Sequence, residues 1–395
     1  MPDPRDAVIT GIGLVSCLGE GQDAHWAALN APGGFQPVTV AGPLREYPVH
    51  PTPKLELSRQ IPKHGDQRQM EPWQRIGTYA AGLALDAAGV KGVAELLART
   101  DLIVAAGGGE RDYAVDAAIL SALPASNEPE VLLNERLLGD LRPTLFLAQL
   151  SNLLAGNISI VHGVIGSSRT FMGEEASGAD AVRIACARIA AGQAELCLVG
   201  SSYNAERPDA QLHYLMGGKL HRGPFTGIWN RAAGLILGSV GCFLVIESRE
   251  HAHARGAQPI AHIAAIATDR CSRAPNAARA IAEQQLAGMR QHLQPGATAV
   301  FSANAGVAPA MSEEAQFLAG LDMPVRGVAN ALGHSIEAAF PAALALAAMA
   351  LQRQELFAPL QDHPLEAPMQ APLASALVTG WGHWRGEAMA VLTPP

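Results

Sequence analysis

The chain has 395 residues, a formal net charge of −8 at pH 7, and 49% hydrophobic against 16% charged residues. That length can bury a large core and hold two domains or two halves of one, and the apolar share excludes a disordered chain. With a pI near 5.9 and no basic stripe, nucleic acid is excluded as a partner.

Residues 7–10 predict a short strand entering a turn at Gly11-Ile-Gly13, and a helix follows over 22–29. The turn lacks the spacing of a dinucleotide loop and predicts close backbone packing instead. Residues 31–70, rich in Pro and Gly, predict a long connection. Glu71-Pro72-Trp73 opens a helix with Pro at its first position; Trp73, Ile76, Ala80, Leu83 and Ala87 give its apolar spacing and Gly89 its stop. Residues 101–105 predict a buried strand running into Gly107-Gly-Gly109, a loop rather than a phosphate cradle. A helix near 144–155 and a strand at 158–161 lead to Glu175, which opens a helical run to Ala191. A strand over 195–199 follows.

The second half repeats this grammar. Strands are predicted at 241–247, 260–268 and 298–302, a long helix over 276–293, and closing strands at 377–378 and 388–392. Residues 338–351 form an Ala/Leu-rich stretch containing Pro341, too short for a membrane span and read as a buried helix. The start of the sequence has no apolar signal-peptide core. The five cysteines (17, 186, 197, 242, 271) show no paired or metal-type spacing; most lie in apolar runs and predict inert core residues, in a reducing, cytoplasmic setting. His251 and His253 lie in a charged helix without a third ligand, which predicts a solvated face rather than a metal site. No cofactor is expected. Strands alternating with helices predict an α/β fold with covered sheets.

The strand–turn–helix around Glu175, from Gly166-Ser-Ser-Arg-Thr-Phe-Met-Gly-Glu-Glu175 to Gly178, resembles the nucleophile elbow of β-ketoacyl-[acyl carrier protein] synthases. Other matches follow in the family's order. They are Val8-Ile-Thr-Gly-Ile-Gly13, the run from Ser151 to Ile160, Leu237-Gly238 with Val245-Ile-Glu247, Gly333-His334, and Gly380-Trp381-Gly382. The resemblance covers nearly the whole chain. It implies a thiolase-like fold, two related α/β halves forming a layered αβαβα core, divided here as 1–248 and 249–395.

In the active enzymes a cysteine, activated at a helix N-terminus, takes the acyl chain. Two histidines drive decarboxylation of the malonyl carrier and stabilise the enolate. The resemblance places Glu175 at the cysteine position, Ala305 at the first histidine and His334 at the second. Ala329 stands where a lysine is expected, and Val307 where a threonine is. A carboxylate cannot form the thioester, so the site is expected to be inactive. Glu175 is expected to fill the old pocket and pair with a cation, Arg169 or an arginine of a partner subunit. Use of Glu175 as a covalent nucleophile is the less favoured reading. Trp381 replaces the family's gate phenylalanine, and with Trp384 it is expected to crowd the acyl entrance.

The resemblance thus implies a non-catalytic subunit, similar to a chain-length factor of polyketide or aryl-polyene synthesis. It would pair with an active ketosynthase through the strand at 167–172, meet acyl carrier protein through that complex, and shape the acyl tunnel, with residues 110–125 as the floor. The alternatives are a malonyl-carrier decarboxylase or other stand-alone acyl-carrier enzyme using Glu175 and His334, and a homodimeric scaffold without chemistry.

Overall fold

The computed structural model describes residues 3–143, 145–232 and 234–395. Ten strands carry its main sheet: β1 (Ala7–Ser16), β2 (Asp101–Ala105), β3 (Ser168–Phe171), β4 (Leu196–Tyr203), β5 (Val240–Ser248), β6 (Ala261–Asp269), β7 (Thr298–Ser302), β8 (Val325–Gly327), β9 (Ser375–Trp381) and β10 (Glu387–Thr393). They lie in the order β8-β7-β9-β10-β6-β1-β5-β4-β2-β3, with the two-residue strand Gly19–Glu20 added to β1. Outward from the antiparallel β1–β6 pair, both wings repeat one pattern. On one side β1–β5 and β5–β4 are antiparallel, then β4–β2 and β2–β3 parallel. On the other β6–β10 and β10–β9 are antiparallel, then β9–β7 and β7–β8 parallel.

Helices fill three layers around the two wings. The helix α1 (Pro72–Ala87) packs on the outer face of β1, β5 and β4, and α4 (Ala277–Met289) on β10. Between the wings lie α3 (Glu175–Ala190) and α5 (Ala339–Arg353), which touch each other and strands of both sides. Every residue of α5 from Ala339 to Leu351 is buried, and a helix apolar all round is stable only when enclosed. The run Ile336–Arg353 is long and apolar enough to cross a membrane, yet 89% of it is buried inside the protein. One core cluster joins Ile9, Val199, Phe301, Leu344 and Val378 from both wings; each such side chain contributes about 1.5–3 kcal/mol through burial.

Three expectations change. The strand β1 does not turn at Gly11 but continues to Ser16, with an irregular register between Ile9 and Gly11. A Cβ on Gly11 or Gly13 would run into the carbonyls of Ala84 and Ala80 on α1, so the close packing is real and the turn is not. Residues 158–161 are helical, part of α2 (Leu153–His162), which ends on Gly163 at φ 76°. The expected helix over 144–155 is a short piece, Leu145–Ala148, then a break before α2; Thr144 lies outside the described residues.

Candidate functional site

Glu175 is the first residue of α3, directly after the β3 turn, so it stands at the positive end of the helix. It is buried, and two imidazoles converge on one of its oxygens. His334 Nε2 lies 3.0 Å and His383 Nδ1 2.8 Å from Oε1. The backbone N–H of His383 also donates there, at 3.4 Å. An ionised carboxylate only accepts, so both ring nitrogens donate. Burial alone would raise the Glu175 carboxyl, but the hydrogen bonds and charge of His334 and His383 outweigh it and hold the group below the ordinary carboxylate range. Its other oxygen, Oε2, is buried without a protein partner. A Cβ on Gly382 would meet the carbonyl of Arg385 at 2.3 Å and that oxygen at 3.0 Å, so glycine lets the turn close beside the carboxylate.

Backbone contacts fix both histidines. The N–H of His334 donates to Ile236 O at 2.8 Å, and its carbonyl accepts from Gly238 N–H at 2.9 Å. His383 sits in the turn between β9 and β10, closed by Gly382 N–H to Gly386 O at 2.9 Å. Arg273 anchors that turn by donating to Gly382 O at 3.1 Å and pairing with Glu387.

The expected partner of Glu175 was a cation such as Arg169. Arg169 is exposed on β3, and His334 and His383 take its place. His383 escaped the sequence reading. Its one signal was a histidine directly after Gly380-Trp381-Gly382, on a loop whose destination only the fold reveals. Ala305 faces an apolar cluster with Val49, Leu237, Val307 and Ile336, which offers no proton donor. Its neighbour Asn304 is instead tied to buried Glu314, which also accepts from Ser302 at 2.9 Å and Thr379 at 2.6 Å. Ala329 and His334 line a cavity of about 10 Å³, room for one water at most.

Of the two tryptophans expected to crowd the acyl entrance, Trp381 turns away from it. Trp381 is buried against Phe317, ring centroids 5.9 Å apart. Trp384 is 65% exposed and helps line an outer pocket of about 620 Å³ with His383, Lys219, Arg270, Arg273 and Arg385. A second cavity of about 410 Å³ is lined in part by Tyr214, whose ring meets His383 edge-on at 5.6 Å. Within 110–125 only Glu110 and Ile119 are buried; Glu110 accepts from Trp73 N–H and Asn204. The second cavity is lined instead by Gly107 and Gly108, just before that segment. His251 is not on a purely solvated face: its Nδ1 lies 2.7 Å from buried Glu247.

This layered arrangement, with a helix-borne elbow between two wings of one pattern, defines an α/β protein of the thiolase fold. Residues 57–252 match the N-terminal domain of β-ketoacyl synthase. The 3-oxoacyl-[acyl-carrier-protein] synthase 2 of Rhizobium meliloti (strain 1021) is 26% identical over 286 residues, which are 66% of this chain and 63% of that protein. The enzyme of the same name from Vibrio harveyi is 25% identical over 276 residues, 66% of this chain and 61% of its own. The matched stretch is thus less than two thirds of either relative.

The solved ishigamide ketosynthase/chain length factor superposes with a TM-score of 0.80 at 20% identity, covering 99% of both chains. A type II polyketide synthase acyl-carrier protein in complex with its ketosynthase bound to the hexaketide gives 0.76 at 17% identity, covering 100% of both. The chain belongs to the β-ketoacyl synthase family.

Proposed function

We propose that this chain is a non-catalytic, chain-length-factor-like subunit that pairs with an active ketosynthase and shapes its acyl tunnel. One observation carries the reading: the elbow where a nucleophilic cysteine would stand bears Glu175, clamped between His334 and His383. A carboxylate so held is a poor nucleophile and cannot carry an acyl thioester. The alternative, a malonyl-carrier decarboxylase using Glu175 and His334, needs a free His334 Nε2 facing substrate. That nitrogen is committed to Glu175.

The surface supports a partner at β3. This strand pairs with β2 on one side only and ends the sheet. Ile165 and Met172, which flank it, are 68% and 70% exposed, and Ile160 on the adjoining α2 is 71% exposed. An open strand edge among exposed apolar side chains is a pairing surface. The outer pocket carries Lys219 beside Arg270, Arg273 and Arg385, which already pair with Asp180, Glu387 and Glu174; the lysine is what it offers the phosphate of a carrier-protein arm. We place the protein in the cytoplasm, and we read residues 1–248 and 249–395 as its two halves, which the repeated strand pairing supports.

Co-expression with a catalytically complete ketosynthase encoded beside it, followed by co-purification and native mass measurement, tests the reading. A one-to-one heterodimer, with acyl groups found on the other subunit alone, is expected. An acyl chain covalently attached to this polypeptide overturns it.

A further inference from the structure

Arg169 is left over from the site. It is exposed on β3, the strand that ends the sheet, and has no ion pair among the described residues. Glu175, its expected partner, is held by His334 and His383. The next acid along the chain, Glu174, pairs with Arg385 at 3.2 Å. The strand reads Ser168-Arg-Thr-Phe171, so Arg169 is its only ionisable side chain. Ile103 of β2 stands beside Arg169 in parallel register, which puts both side chains on one face of the sheet. Ile103 belongs to the core shared by the two wings. Arg169 therefore rims the inner helix layer at the open edge.

A strand added to this edge covers Arg169 along with the apolar side chains beside it, Ile165 and Met172. A guanidinium covered without a counter-charge is costly. Opposite charges facing each other across a strand pair stabilise it, and like charges destabilise it. A second copy of this chain brings the wrong sign. Pairing a four-residue strand with itself about a two-fold axis sets the two Arg169 backbones roughly 8 Å apart or closer, within about a Debye length at physiological salt. We propose that Arg169 selects a partner whose edge strand carries a carboxylate opposite it, and so turns this edge toward an unlike subunit and away from an ordered pair with a second copy. The proposal deepens the proposed role and rests on the reading that β3 is the pairing edge.

A variant of this chain can supply the missing carboxylate, so wild type and Arg169→Glu are measured alone and mixed, by native mass spectrometry and sedimentation. The mixed pair is expected to associate about tenfold more tightly than either chain with itself, and that gain should fade as salt rises. Arg169→Lys, which keeps the charge, should behave as wild type does. A mixed pair no tighter than the self-pairs overturns the proposal, and so does a wild-type chain that is already a stable homodimer. Co-expression with the ketosynthase encoded beside it gives a second arm. Arg169→Glu should weaken that heterodimer about tenfold, and exchanging the facing acid on the partner's edge strand for lysine should restore it. An undiminished heterodimer overturns the proposal. Failure of the wild-type chain to form any heterodimer overturns the proposed role instead, while the mixed-chain measurement still decides this inference.

Discussion

Replacing Glu175 with alanine removes the single acceptor shared by two imidazoles. His334 is 1% exposed, so its Nε2–H is left without a partner where water has little access. An unmet buried donor costs about 1–3 kcal/mol. The His383 side chain is 11% exposed, and water can replace part of its lost bond. Opening a buried charged pair from one side costs about 3–5 kcal/mol. Relief from burying the anion offsets some of that, so Glu175→Ala should destabilise the chain by about 3 kcal/mol.

Urea unfolding followed by circular dichroism measures it. The double mutant Glu175→Ala/His334→Ala should lose clearly less than the sum of the single losses, because the two side chains act as one unit. The depressed carboxyl sets the pH dependence. Its contribution is complete above the unfolded carboxylate value of about 4.3 and is lost as pH falls through the lower folded value. The gap between wild type and Glu175→Ala should close as pH falls below 4. A variant as stable as wild type, or additive single losses, would refute the clamp.

Glu175→Cys alone should show no condensation with acyl and malonyl carrier substrates, because Ala305 and Ala329 supply neither the second imidazole nor the lysine; turnover by the purified single mutant would contradict this. Glu337→Gln should match wild type near pH 4 and gain relative stability as pH rises. The sign follows from a folded carboxyl raised to about 8: its stabilisation is full below the unfolded value and lost as pH climbs to the folded one. A stability difference that stays flat from pH 4 to 9 would count against it. Met172→Glu, with a charge beside the open strand, should abolish heterodimer formation in native mass spectrometry while leaving the far-UV spectrum unchanged. A retained heterodimer would move the interface elsewhere.

Much of the fold was legible because its strands are short apolar runs between Gly-rich turns. Residues 101–105 and 298–302 have the predicted limits, and α1 starts at the predicted Pro72. The misreading at 158–161 has a physical cause. Ile158-Ser-Ile-Val alternates like a strand, but Leu153, Leu154 and Ala155 had already nucleated a helix that carries on to Gly163. At the site, Glu175 and His334 were visible through a resemblance in order and spacing. His383 was not, since a loop residue's neighbour is decided by where the loop folds back. Trp381 misled for the same reason: side-chain size was known but direction was not. Trp381 points to the outer helix layer and Trp384 to solvent.

The unfinished margin at β3 carries a cost for the cell. A polypeptide released with a bare ladder end and oily flanks tends to stick to copies of itself or to chaperones until a mate covers it. If the proposed partner covers that margin, the abundance of this chain should track the partner's.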